Sequence, residues 1–304
     1  TANIPNEPGK IKYTQMLNSD GGIETDLTVI CIEKNYFRIV SSAANREHDK
    51  FHILKHISKD VKLTDVTEDY CCLGLFGPKS RDMISSISSD DFSNENFKFA
   101  TAKFVKINDV EVWAQRISYV GELGFELYVK KENALKLFDI LIDKGKTYKI
   151  SLCGMHAMDI MRMESGYLHW GHDISPEENL YQAGLEFTIS EKKEINFIGK
   201  EAVIKIKDKK VDRRFAMFAL EDCKPGNPLL LNDEPIFLDN KIIGKTTSGN
   251  YSFNFKKNIA FGYIDNKYLI NEIEKKELFI EIEKIKYPAK ILLKPLKHTN
   301  YKTL

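Results

Sequence analysis

No stretch of this 304-residue chain approaches the roughly 20 consecutive apolar residues that a bilayer-spanning helix needs. Its opening does not resemble a signal peptide. There is no CxxC pair among the five cysteines, Cys31, Cys71, Cys72, Cys153 and Cys223, so neither a structural zinc site nor a thioredoxin-like centre is suggested. An odd count in mostly apolar positions predicts reduced, buried thiols in a cytoplasmic or mitochondrial-matrix-like compartment. Charge of one sign is also lacking. Forty-five basic residues stand against 44 acidic ones, a net +1, and no global field draws the chain to nucleic acid or to an anionic membrane. No GxGxxG opens the chain, so flavin binding is not assigned to it. Low-complexity tracts and internal repeats are absent too.

What is present is ordinary globular material, 42% apolar and 29% charged, in a length that predicts two or three domains. Residues 13–29 (YTQMLNSDGGIETDLTV) alternate on either side of Asn18-Ser19-Asp20-Gly21-Gly22, which predicts a hairpin with a tight reversal. Strands are expected over 36–40 and 65–76, with a helix over 49–57 between them and a stop at Gly77-Pro78. A short helix over 80–87 and a polar loop over 85–96 follow. Residues 104–107, 110–117 and 122–129 read as a meander, the last with Phe125, Leu127 and Val129 on its apolar face and Glu126 and Tyr128 on the other. Residues 133–144 read as an amphipathic helix with Leu135, Phe138, Ile140 and Leu141 inward. A helix over 152–164 carries Met155, Met158 and Met161 as an apolar stripe, with Ser151 as its N-cap. The Lys/Glu-dense stretch 191–214 reads as a solvated boundary with one helix. Beyond it, short strands broken by turn signals predict an antiparallel barrel or sandwich.

Three places carry chemistry. Asp26 stands just after the glycine turn, sharing a strand face with Thr28 and Ile30, with Tyr13 and Asn18 across the hairpin. It reads either as a solvated acid or as the wall of a small-molecule site. Arg162 rides on the methionine stripe, where a guanidinium must be paired. It reads either as an internal Arg–Glu pair stapling the helix to a neighbouring strand or as a cation facing a polar cavity. His169, Trp170 and His172 follow in a loop. Two histidines three apart lack a third ligand at recognisable spacing, so packing and hydrogen bonding by these side chains are expected rather than a metal.

The strings YTQMLNSDGGIETDLTV, ISYVGELGFELYV, MRMESGYLHWGHDI, NFIGKEA, TTSGNYSFNFKKNIAFGYI and YPAKILLKPL stand in the order found in the glycine cleavage T-protein (aminomethyltransferase) family. The resemblance covers nearly the whole chain. The last two strings most resemble the folate-binding C-terminal half of dimethylglycine and sarcosine dehydrogenases. It implies an α+β fold, a cloverleaf of antiparallel-sheet domains with flanking helices plus a C-terminal β-barrel, around a central folate channel. It divides the chain into a first folate-binding part over 1–76, incomplete at its start, a second over 77–210, and a barrel over 211–304. Thr1 would then correspond to a point inside the fold, with any FAD domain upstream of it.

The resemblance implies roles as well. Asp26 matches the catalytic aspartate near the N5/N10 edge of the folate, and Glu126 the glutamate that binds the pterin ring. Tyr119 and Tyr13 match aromatic pocket residues. Arg162 matches the arginine of R-L-E-x-G, here Arg162-Met163-Glu164-Ser165-Gly166, suited to a negative glutamyl tail. Tyr301 lies in a looser C-terminal match, His298-Thr299-Asn300-Tyr301. The implied reaction moves a methylene from an amine to tetrahydrofolate, giving 5,10-methylenetetrahydrofolate. The donor is an iminium from an FAD domain in the dehydrogenase branch, or an aminomethyl group on a lipoyl carrier protein in the T-protein. A non-catalytic folate-binding relative is the third possibility. Those relatives carry a cysteine in K-G-C-Y-x-G-Q-E, where this chain reads Ser118-Tyr119-Val120-Gly121-Glu122-Leu123.

Overall fold

The computed structural model describes residues 1–190, 196–268, 276–297 and 300–303. The chain forms two compact units that interleave along the sequence: residues 1–2, 14–26 and 154–298, and residues 3–13, 27–153 and 299–304. The units cut across the three consecutive segments expected from sequence, because the hairpin strands β1 (Ile11–Leu17) and β2 (Ile23–Glu33) each run from one unit into the other. With β3 (Tyr36–Val40) they make a three-stranded sheet in the order β1-β2-β3.

The reversal between β1 and β2 forms as its side chains dictate. Asn18 Oδ1 accepts hydrogen bonds from the backbone N–H of Asp20 (3.0 Å) and Gly22 (2.8 Å), and Gly21 takes φ +86°, a left-handed value that glycine adopts without a Cβ penalty.

In the second unit, β4 (Tyr70–Phe76), β5 (Thr101–Ile107), β6 (Val110–Arg116) and β7 (Gly124–Lys130) form an antiparallel sheet in the order β4-β7-β6-β5. One face packs Leu75, Val112, Phe125, Leu127 and Val129 against α2 (Ser80–Ser85) and α3 (Ala134–Tyr148). The other face carries Ala102 and Trp113, buried with Ile11 and Ile30. In α3 the inward side chains are Leu137 and Leu141, whereas Leu135, expected inside, is 72% exposed. In α1 (Arg46–His56), Phe51 and Leu54 are exposed.

The first unit holds α4 (Met155–Glu164), α5 (Lys200–Lys207) and a closed barrel of β8 (Arg213–Leu220), β9 (Pro235–Leu238), β10 (Lys241–Ser252), β11 (Lys257–Asp265), β12 (Leu278–Ile282) and β13 (Ile285–Leu292). The barrel order is β10-β11-β8-β13-β12-β9, and its interior is filled by Phe218, Leu220, Ile236, Ala260 and Ile280. Closure removes the open edges an antiparallel sheet would otherwise expose. The α4 cap position is Gly154 rather than Ser151, and Met155 is exposed. Ile160 and Met163 take the buried places, since α4 packs on β10 and β11 through a face turned from the expected stripe. The start of the boundary stretch, residues 191–195, lies outside the described residues.

Candidate functional site

In the second unit the chemistry gathers on the sheet face opposite the helices. Side chains alternate along a strand, so Glu126 and Tyr128 of β7 share that face, and register places Gln115 beside Glu126 and Cys72 beside Tyr128. The Tyr128 hydroxyl donates to Glu126 Oε2 at 2.7 Å. Among the described residues, no hydrogen bond is seen at the other carboxylate oxygen. Burial holds the Glu126 carboxyl above its ordinary range, and the Tyr128 donor offsets part of that rise. Burial and the Glu126 charge raise the Tyr128 hydroxyl as well. At Cys72 the residue surface is exposed, yet burial of the sulfur and the nearby Glu126 charge push the thiol up to about 12. Gln115 is wholly buried, and both polar atoms of its amide lack a protein partner.

Tyr13 lies on β1 in this unit, half-buried, and Tyr119 is half-buried between β6 and β7. Tyr301 is buried, with its ring edge-on to Phe99 at 5.6 Å between centroids. Of the motif that brought Tyr301 forward, His298 and Thr299 lie outside the described residues.

In the first unit Asp26 is half-buried on β2, on the same face as Glu24. The strand leading to it is fixed at several points. The Trp170 indole N–H donates to Ile23 O at 2.9 Å, Ile23 N–H donates to Glu178 O at 3.0 Å, and Gly22 bridges Asn179. Gly22 is required there, since a Cβ would stand 2.1 Å from Pro176 O.

Arg162, in the same unit, is 1% exposed and donates throughout its guanidinium: Nε to Asp159 (2.9 Å), one terminal nitrogen to Asp173 Oδ2 (2.5 Å) and Tyr167 O (2.9 Å), the other to Ser248 Oγ (2.9 Å). Its carbon centre lies 5.4 Å from the Phe261 ring centroid. Of the two readings open in the sequence, this geometry is that of an internal pair, with aspartates as partners rather than a glutamate. Asp173 also accepts from Thr247 (2.5 Å), Ser248 (2.8 Å) and the His169 backbone (3.0 Å), so it ties α4, the 169–173 loop and β10 together. Glu164, two residues after Arg162, accepts from Ser252 (2.6 Å) and Asn254 (2.8 Å). His169 and His172 stack at 4.4 Å, and burial lowers the His169 pKa. Among the described residues no group of three or more His, Cys, Asp or Glu is arranged to hold a metal ion.

Sequence reasoning missed Asp173, Ser248 and Gln115; for Trp170 it expected hydrogen bonding, which the bond to Ile23 O supplies. Alternation had placed Tyr128 on the face of Glu126, and a hydrogen bond joins the two. Of the residues singled out from the sequence, Asp26 and Arg162 fall in one unit, and Tyr13, Tyr119, Glu126 and Tyr301 in the other.

Residues 1–193 match the GCVT N-terminal domain, and residues 213–297 the glycine cleavage T-protein C-terminal barrel domain. The chain is 34% identical over 298 residues to a 4-methylaminobutanoate oxidase (formaldehyde-forming) of Paenarthrobacter nicotinovorans, and 33% identical over 301 residues to human mitochondrial dimethylglycine dehydrogenase. Each alignment takes in 97% of this chain and about a third of the relative (35% and 34%). An aminomethyltransferase of Alkaliphilus metalliredigens is 32% identical over 299 residues, 97% of this chain and 78% of that protein. The crystal structure of glycine cleavage system aminomethyltransferase T from Bartonella henselae superposes with a TM-score of 0.81 at 21% identity, covering 96% of this chain and 77% of that one, and so shares its fold.

Proposed function

Because the chain belongs to the glycine cleavage T-protein family, we propose that it transfers a one-carbon unit to tetrahydrofolate, giving 5,10-methylenetetrahydrofolate. The observation that carries this reading is the family match through both halves of the chain, residues 1–193 and 213–297.

Tetrahydrofolate supplies the N5 and N10 nitrogens that accept the methylene. Glu126 suits the pterin: a half-buried carboxylate with one oxygen engaged by Tyr128 is shaped to accept N–H groups from a heterocycle edge. Tyr13 and Tyr119 offer ring faces with hydroxyl handles. Asp26 accepts the proton lost from the attacking nitrogen, or holds the developing positive charge. The anchored start of β2 favours this role, because a strand fixed through Trp170 and Glu178 keeps its carboxylate in one place. Arg162 serves by holding α4 and the 169–173 loop in place.

The one-carbon donor is an amine-derived iminium formed by an FAD domain of a longer protein, as a dimethylglycine or sarcosine dehydrogenase-like module would use. Support comes from the relatives of which this chain spans about a third. A stand-alone aminomethyltransferase taking its carbon from a lipoyl carrier is the second reading, favoured by the 78% of the Alkaliphilus protein that the chain spans.

Asp26→Asn tests the chemistry. Reduced-folate affinity should stay within about twofold while methylene transfer falls by roughly 100-fold or more; undiminished transfer removes Asp26 from the reaction. The donor separates the two readings: an aminomethylated lipoyl carrier serves the second, whereas dimethylglycine serves the first when given together with a flavin dehydrogenase that oxidises it to the iminium.

A further inference from the structure

We propose that Tyr128 is a positioning residue for Glu126, its hydroxyl committing one carboxylate oxygen so that the other is left for the N–H edge of a pterin. The inference rests on the reading of Glu126 as the pterin-binding acid.

The geometry is local and asymmetric. Tyr128 donates to Oε2 at 2.7 Å, and no hydrogen bond is seen at the second oxygen among the described residues. Glu126 sits between Gly74 of β4 and Gln115 of β6 in the sheet register. Gly74 has no side chain to offer, and the Gln115 amide is without a protein partner. Tyr128 is therefore the side chain that sets the carboxylate's rotation. A carboxylate free to turn would lose orientational preference for a planar donor edge.

The same contact acts on charge. Among the described residues, Tyr128 and Cys72 are the titratable groups that couple to Glu126. Burial raises the Glu126 carboxyl, the Tyr128 donor lowers it, and the Cys72 thiol stays protonated. An ionised Glu126 accepts pterin N–H groups, so affinity is present above its pKa and lost as pH falls through it. Removing the donor raises that pKa and moves the loss to higher pH.

The test is equilibrium binding of 5-formyltetrahydrofolate to the full chain, from pH 5 to 9, for the parent, Tyr128→Phe, Glu126→Gln and the double variant. Tyr128→Phe should bind roughly tenfold more weakly at pH 7, with its acid-side fall displaced upward. Glu126→Gln should bind weakly without that acid limb, with or without Tyr128. Tyr128→Phe matching the parent at every pH, with Glu126→Gln weakened, overturns the positioning role and leaves the pterin reading standing. Weakened binding with an unmoved acid limb also overturns it, since packing alone would do that. Glu126→Gln binding as the parent does overturns both.

Discussion

Replacing Arg162 with Met should unfold the barrel-containing unit far more readily, and the structure sets the size. Breaking a buried ion pair costs about 3–5 kcal/mol because it strands the partner charge. Asp173, with its side chain wholly buried, is the stranded partner. It keeps hydrogen bonds from Thr247, Ser248 and the His169 N–H, which puts its share near the lower end of that range. Asp159 is about one-third exposed, 32%, and turns to water. Its pairing is discounted to well under 1 kcal/mol. Tyr167 O and the Phe261 ring each lose an interaction of about 1 kcal/mol. The expected loss is about 5 kcal/mol. Urea unfolding without ligand measures it. The chain has two tryptophans, so a Trp113→Phe background leaves Trp170 to report on this unit. Asp173→Asn should cost about 2 kcal/mol, because Arg162 keeps Asp159. The double variant should then cost at least about 1.5 kcal/mol less than the two singles together. A single Arg162→Met within about 1 kcal/mol of the parent, or no coupling to Asp173, refutes the staple. Loss of folate affinity at unchanged stability would return Arg162 to the ligand-facing reading.

Two further outcomes follow from other contacts. Gly22→Ala places a methyl 2.1 Å from Pro176 O and should cost about 1–3 kcal/mol by urea unfolding; a cost below about 0.5 kcal/mol would mean that the start of β2 is not held as described. Cys72, at about 12, holds about one thiolate in ten thousand at pH 8. Iodoacetamide should therefore label exposed Cys153 long before exposed Cys72, as peptide mass mapping over time would read, and equal rates would contradict the crowded sulfur.

Local chemistry was legible in the sequence, and long-range pairing was not. The hairpin could be read because Asn18, Asp20, Gly21 and Gly22 carry their own hydrogen bonds within five residues. Two-residue alternation put Glu126 and Tyr128 on one face, but Cys72 and Gln115 join them only through the register of β4 and β6. Helical period found α3 and α4 but misjudged their inward faces at Leu135 and Met155, since periodicity marks a stripe and the neighbouring element decides where it sits. The need to pair Arg162 followed from its apolar setting. Its partners did not, as Asp173 and Ser248 lie 11 and 86 residues away. Turn spacing foretold an antiparallel C-terminal domain, whereas closure into six strands depends on which ends meet. In the cysteines, composition told only part: Cys31 and Cys223 are buried and Cys72 keeps a buried sulfur on an exposed residue, but Cys153 is exposed.

The passage of β1 and β2 through both compact units has a consequence for anyone who would take the protein apart. Each unit draws on three separate lengths of chain, so no single scission yields one whole unit and one remainder. A protease nick after Cys153 would leave two fragments, each holding pieces that the other needs, and reconstitution should demand both together. Assembly carries the same obligation: residues 14–26 wait on partners that leave the ribosome more than a hundred residues later.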